Sequence, residues 1–323
     1  MEQKQLTGKF YDIQGFSVHD GPGIRLTCFM KGCPLRCIWC HSPESQLFPD
    51  ELNWMEIKCV GVEKCGRCLD VCPQGAISGG ALKKSPAGDD IQLVAVDRAK
   101  CDNCGKCAEA CTSRALYMCG DDYTVDELME RIRRDVPFFK RSGGGVTVSG
   151  GECLCQPEFL LELLKRCKAE DIHTAVDTTG FVPWSVIEPI IPYTDVFLYD
   201  IKNMDSDLHK QGTGVPNELI LENAKKIAAA GGKFQIRVPV MTMYNDSVEM
   251  FDKLGEFLLE LGGAVEVIQL LPYHSLGVVK WERLGRGPDL TDGKFVDIVP
   301  PTDDLMQARK KQLEDMGLPV IIH

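Results

Sequence analysis

Nowhere in its 323 residues does the chain approach eighteen consecutive apolar residues, so the sequence offers no membrane span. The opening stretch, MEQKQLTGKF, puts no apolar segment behind its charges. No secretory signal is therefore expected, and the reading is a cytoplasmic protein. Positive charge is in deficit, with 36 Lys and Arg against 47 Asp and Glu and a net charge of −11. That balance argues against nucleic acid as a partner. Low-complexity tracts and sustained heptads are also missing. What remains is an ordinary globular composition, 44% hydrophobic and 26% charged, long enough for one barrel-sized domain or two ordinary ones.

Cysteine is the exception: there are 16. In a reducing compartment that number points to metal or catalysis rather than to disulfides. Eleven fall into three groups. Cys33, Cys37 and Cys40 stand in GCPLRCIWC. Cys59, Cys65, Cys68 and Cys72 precede Pro73, and Cys101, Cys104, Cys107 and Cys111 form a C-x2-C-x2-C-x3-C run. CxxC pairs also bind zinc, but two dense four-cysteine runs resemble a bacterial two-cluster ferredoxin, in which the last cysteine of each run ligates the other cluster. By that resemblance Cys59, Cys65, Cys68 and Cys111 hold one cube, and Cys101, Cys104, Cys107 and Cys72 the other. Cys28 and Cys167 read as small core residues. Cys119 is close enough to Cys111 to be a substitute ligand.

After the cysteine-rich stretch, strand-like and helix-like segments alternate. Strands are expected at 24–31, 146–149, 173–178, 196–202, 234–240 and 264–273. Helices are expected at 157–169, around 184–191, at 217–230 and at 248–261. Such alternation predicts a parallel sheet with helices packed outside it, six units of an open β/α barrel. The site would then lie at the C-terminal strand ends, where the sequence reads SGGE (149–152), VDTTG, YDIK, RVPV and LLPYH.

Three thiolates leave one iron of a cube open to a small molecule. A zinc site completed by His41 is the plain alternative. Cys-x3-Cys-x-aromatic-x-Cys, with Trp39 as the aromatic, resembles the radical SAM superfamily motif. The stretch FSVHDGPGIRLTCFMKGCPLRCIWCHSPES, with SGGE, DTTG, YDIKNMD, RVPV and LLPYHSLG, resembles the activating enzymes of glycyl radical enzymes along nearly the whole chain. The cysteine-rich insert resembles the larger members of that family. The resemblance implies a partial (β/α)6 TIM-like radical SAM barrel, residues 1–48 and 120–323, with a ferredoxin-like insert at 49–119 that carries two 4Fe-4S clusters.

It also implies three 4Fe-4S clusters in all, S-adenosylmethionine and a monovalent cation. Cys33, Cys37 and Cys40 would hold the catalytic cube and Trp39 would border the adenine. Gly150, Gly151 and Glu152 would receive the methionine amino group, and Lys202 would pair with its carboxylate. Asp177, Thr178 and Asp200 would hold the cation, with Arg237 and His274 near the sulfonium and ribose. Taken singly, Asp177 would equally suit a helix cap, Arg237 a surface ion pair and His274 a hydrogen-bonded strand end. Where many relatives continue GGE-Pro, this chain has Cys153 and Cys155, read as small residues at the cavity mouth. The implied activity is reductive cleavage of S-adenosylmethionine to a 5′-deoxyadenosyl radical that takes a Cα hydrogen from a glycine of a partner glycyl radical enzyme. Flavodoxin or ferredoxin would supply the electron to a monomeric activase. The rival readings are a radical SAM enzyme acting on a small molecule or peptide, and a non-catalytic polyferredoxin.

Overall fold

The computed structural model describes residues 6–84, 88–286 and 298–323. Along the chain run β1 (Thr7–Ser17), β2 (Arg25–Met30), β3 (Glu51–Trp54), α1 (Arg67–Val71), β4 (Ile77–Lys84), β5 (Asp90–Val96), α2 (Lys106–Ala110), β6 (Leu116–Cys119), β7 (Asp121–Thr124) and α3 (Val125–Ser142). Then come β8 (Gly145–Gly150), α4 (Pro157–Ala169), β9 (His173–Thr178), α5 (Trp184–Ile187), β10 (Val196–Asp200), α6 (Ser206–Thr213), α7 (Glu218–Ala229), β11 (Phe234–Val240), α8 (Val248–Leu261), β12 (Val265–Pro272), α9 (Val278–Arg283), α10 (Asp303–Asp315) and β13 (Val320–Ile322). No helix among the described residues is long and apolar enough to cross a membrane.

Nine strands make one sheet in the order β13-β12-β11-β10-β9-β8-β2-β1-β7. β2 and β8 to β13 are parallel, whereas β1 is antiparallel to both β2 and β7. The barrel is partial: β13 and β2 are not neighbours. The two-residue period of the strands sorts their side chains. Val146, Val148, Val176, Phe197 and Tyr199 join the main core under the helices. The other face carries polar groups, among them the buried Thr27, Thr147 and Ser149. An apolar helix layer outside and a polar trough inside leave room for a ligand at the strand ends.

The helices start where sequence chemistry tells them to. Thr124 and Glu127 form a reciprocal capping box at α3, Ser247 caps α8, and Pro157 opens α4. The strands expected from 146 onward are all present, that at 196–202 ending two residues early. β1, β7 and β13 were not expected. β1 loses its alternation at a register shift between Phe10 and Asp12 and at Phe16, whose φ is 58°.

The cysteine-rich segment forms two antiparallel pairs, the hairpin of β4 with β5 and the long-range pairing of β3 with β6 that encloses it. Its internal repeat is visible in three dimensions. α1 and α2 each begin after a glycine in the left-handed region, Gly66 at φ 61° and Gly105 at φ 78°, one residue after Cys65 and Cys104.

Candidate functional site

The segment 31–46 lies across the C-terminal ends of the parallel strands. Backbone bonds fix it: Cys33 N donates to Gln46 O (3.1 Å), Arg36 N to Thr213 O (2.7 Å), Ile38 N to Gly212 O (3.0 Å) and Glu152 N to Gly32 O (2.8 Å). Trp281 Nε1 on α9 donates to Cys40 O at 2.9 Å. Gly151 closes against this segment so tightly that a Cβ there would stand 2.6 Å from Gly32 O and 2.9 Å from Cys33 Cβ. Neighbouring Gly150 has φ 130°. The two glycines of SGGE are therefore required by the backbone.

Above the strands opens a cavity of about 540 Å³, lined by Cys33, Cys37 and Cys40 together with Trp39, Gly150, Gly151, Asp177, Asp200, Lys202, Arg237 and His274. Residues more than 230 positions apart in sequence thus share one wall. The size falls in the usual range for a small-molecule site. Lys202 Nζ donates to Asp200 Oδ2 at 2.6 Å. Burial alone would lower the Lys202 pKa, but Asp200 and then Cys37 outweigh it, so the ammonium is held charged. Ser149 Oγ (2.6 Å) and Arg237 Nη1 (3.1 Å) both donate to Asp177 Oδ2. Burial, opposed by Arg237 and reinforced by Asp200, raises the Asp177 carboxyl to about 6.

The surroundings of Asp177, Arg237 and His274 bear on their plain alternatives. Asp177 caps no helix, because α5 starts after Pro183. Arg237 makes a largely covered ion pair, with side chains 17% and 16% exposed. His274 stacks on His41 with ring centroids 4.2 Å apart, and His41 Nε2 donates to His274 O.

Three expectations need correction. Glu152 does not line the cavity. Its fully buried carboxylate accepts from Leu154 N (3.2 Å), Thr178 Oγ1 (2.7 Å), Thr179 N (2.9 Å) and Thr179 Oγ1 (2.7 Å). The Thr178 hydroxyl, spent on Glu152 and accepting from Gly180 N, is likewise outside the lining; Thr179 takes its place there. Cys153 and Cys155 also miss the lining: Cys153 is buried, and Cys155 is exposed beside Gly32. His19, Gln46, Tyr273 and His323 also line the cavity, beyond the residues expected from the sequence. His19 carried a signal, since it stands in HDGPG.

The two four-cysteine runs interlock. One small cavity is lined by Cys59, Cys65, Cys68 and Cys111, the other by Cys101, Cys104, Cys107 and Cys72. Each crossing cysteine accepts an amide N–H on its sulfur, Cys72 from Ala76 (3.2 Å) and Cys111 from Leu116 (3.4 Å). Cys119 lines neither cavity, which removes it as a substitute ligand. Cys28 and Cys167 are buried in the main core, as expected.

The thiols fit iron. Burial pushes Cys37 up to about 12, and Cys68 and Cys107 up to about 11. Sulfurs so placed become thiolates only beside strong cations. Among the described residues no three His, Cys, Asp or Glu side chains close around the volume of a single ion. Each set of thiols lines a common cavity, an arrangement that thiolate-held iron–sulfur clusters use. For an organic ligand the fit is marked by Arg237 Nε, a buried donor with no protein partner.

Residues 103–258 match the Radical SAM superfamily model and residues 58–115 the 4Fe-4S dicluster domain. The chain is 44% identical to the isethionate sulfite-lyase activating enzyme of Oleidesulfovibrio alaskensis, over 88% of its own length and 89% of the relative's. It is 39% identical to the indoleacetate decarboxylase activating enzyme of Tractidigestivibacter scatoligenes, over 100% and 99%. It is 41% identical to the 4-hydroxyphenylacetate decarboxylase activating enzyme of Clostridioides difficile, over 91% of each chain. Likeness of this strength, running through barrel and insert alike, makes the chain a member of the radical SAM family of glycyl radical enzyme activating enzymes.

Proposed function

We propose that this protein installs the radical on one glycine of a partner glycyl radical enzyme, of the arylacetate decarboxylase or isethionate lyase kind, with flavodoxin or ferredoxin as electron source. The observation that carries the reading is the convergence of Cys33, Cys37 and Cys40 with the ends of five strands on one cavity. A polyferredoxin has no use for such a cavity. Cys33, Cys37 and Cys40 would hold a cube that, with S-adenosylmethionine, would supply the one-electron cleavage chemistry and the radical that takes the glycine hydrogen.

The chain supplies orientation and dryness. Lys202, held charged, pairs with the cofactor carboxylate. Gly150 and Gly151 line the cavity, so their carbonyls would accept from the amino group, while Glu152 braces that turn from behind. Trp39, packed on Tyr244 with centroids 4.7 Å apart, walls the adenine side. Arg237 and His274 face the sulfonium and ribose. We assign residues 49–119 to a separate insert with two cubes, on the four-cysteine cavities and on the β3–β6 pairing that closes it. The protein acts as a monomer. The test is electron paramagnetic resonance on reduced, reconstituted protein mixed with S-adenosylmethionine and partners of both kinds. A glycyl signal on one of them is expected; 5′-deoxyadenosine formed with no radical on any would favour a small substrate.

Asp177 and Asp200 form the cation site, without the Thr178 hydroxyl. Ionised Asp177 costs stability, because its folded value, about 6, lies above the ordinary carboxyl value of 3.8. The cost is complete above pH 6 and vanishes as pH falls through the window to about 4. A bound cation offsets it. Potassium should therefore raise the melting temperature at pH 8 relative to equal tetramethylammonium, less so below pH 6, and not in Asp177→Asn. An equal rise in that variant would remove Asp177 from the site.

A further inference from the structure

The two insert cavities are not equivalent with respect to the catalytic thiols, and β3 shows why. Its three relevant residues lie in a row. Glu51 reaches back to the barrel, Leu52 lines the cavity of Cys72, Cys101, Cys104 and Cys107, and Trp54 lines that of Cys59, Cys65, Cys68 and Cys111. At ~3.3 Å per residue, Trp54 stands about 7 Å further along the strand than Leu52.

A continuous chain of contacts leads from the nearer cavity to the catalytic segment. Cys101 Sγ lies 3.9 Å from Asn103 Oδ1, which accepts from Leu52 N at 3.0 Å. Glu51 receives Arg286 Nη2 at 2.9 Å. Arg286 also donates to Pro43 O (3.1 Å) and Gln46 Oε1 (3.4 Å), and Gln46 O accepts from Cys33 N. Arg98 ties the same place from the other side, donating to Leu52 O (2.6 Å) and Arg283 O (2.7 Å).

The junction is also charged in one sense. Four cations, the fully buried Lys31 with Arg98, Arg286 and Lys280, face three carboxylates, Glu44, Glu51 and, at longer range from Lys31, Asp50. A cationic bridge between two thiolate-rich sites favours a negative charge arriving on either, and nearby charge sets the potential of such clusters.

We propose that the Cys72–Cys101–Cys104–Cys107 site is the immediate electron donor to the catalytic thiol site, through the junction of Asn103, Glu51, Arg286 and Gln46. One electron leaves the reduced near cluster, which returns to its oxidised form, and reduces the catalytic cube. A low-potential one-electron carrier protein then refills the near cluster. This route rests on reading both insert sites as cubes.

The test follows reconstituted full-length protein by rapid-freeze electron paramagnetic resonance with reduced flavodoxin. Removing the near site with Cys101→Ala/Cys104→Ala should slow reduction of the catalytic cube by an order of magnitude or more, while dithionite still reduces it. Removing the far site with Cys59→Ala/Cys65→Ala should cost less. Arg286→Met keeps every cysteine and covers the case of an insert that fails to fold. It should shift the near cluster and the catalytic cube to more negative potentials and leave the far cluster in place. Wild-type reduction without the near site, or a shift confined to the far cluster, overturns the route. Wild-type protein holding far fewer than about twelve irons would instead sink the cluster assignment, and this route with it.

Discussion

Replacing Cys33, Cys37 and Cys40 together by alanine should remove about four of about twelve irons from reconstituted protein and abolish cleavage of S-adenosylmethionine. The three thiols are the ones that line the large cavity, and their segment is pinned by backbone bonds to Gln46, Thr213, Gly212 and Glu152, so the fold should survive. Signals of the two insert sites should persist, because their eight cysteines line separate cavities. Iron analysis, electron paramagnetic resonance and assay of 5′-deoxyadenosine read all three outcomes. Cleavage that continued in the triple variant would place the reactive iron elsewhere and overturn the site.

The second large effect separates two residues that the sequence places beside the same methionine moiety. Lys202→Met should weaken S-adenosylmethionine binding by about ten- to a hundredfold, since a hydrogen bond to a charged group contributes about 1.5–3 kcal/mol. Asp200→Asn removes the partner of the same ammonium, so the double variant should lose less than the sum of the two. Glu152→Gln should behave differently. Its carboxylate faces four donors in a dry interior, and an amide there points its own N–H groups at some of them. A loss of about 2–4 kcal/mol in folding stability is expected, read as a shift in denaturant midpoint, with affinity falling only as the turn loosens. Unchanged stability with lost affinity in Glu152→Gln would return that side chain to the ligand.

Much of this site was legible because strand-end chemistry survives in local sequence. A parallel strand such as β10, VFLYD, shows a buried run and then a carboxylate, and the position of Asp200 at the cavity follows from the barrel rule. The thiol groupings were legible from spacing and resemblance. What sequence does not carry is the direction of a side chain after an irregular turn. Gly150 at φ 130° swings the chain so that Glu152 points behind the wall, and Thr179 rather than Thr178 faces the cavity. β1 was hidden because its bulge and Phe16 break the alternation. α3 was hidden by Pro137 in its interior, although the Thr124–Glu127 pair announced its start.

The pairing of β3 with β6 puts Glu51 opposite Cys119, so the excursion between them begins and ends about 5 Å apart. Its length therefore makes no demand on the sheet, and a shorter relative can close the chain across the gap between residues 51 and 119 with the barrel undisturbed. Heredity sees the excursion as a cassette. It also sees it as indivisible: Cys72 serves the cavity of the second run and Cys111 that of the first, so half a cassette would leave each remaining cube one thiol short. Lineages of such activases are expected to gain or shed the two sites together, never one at a time.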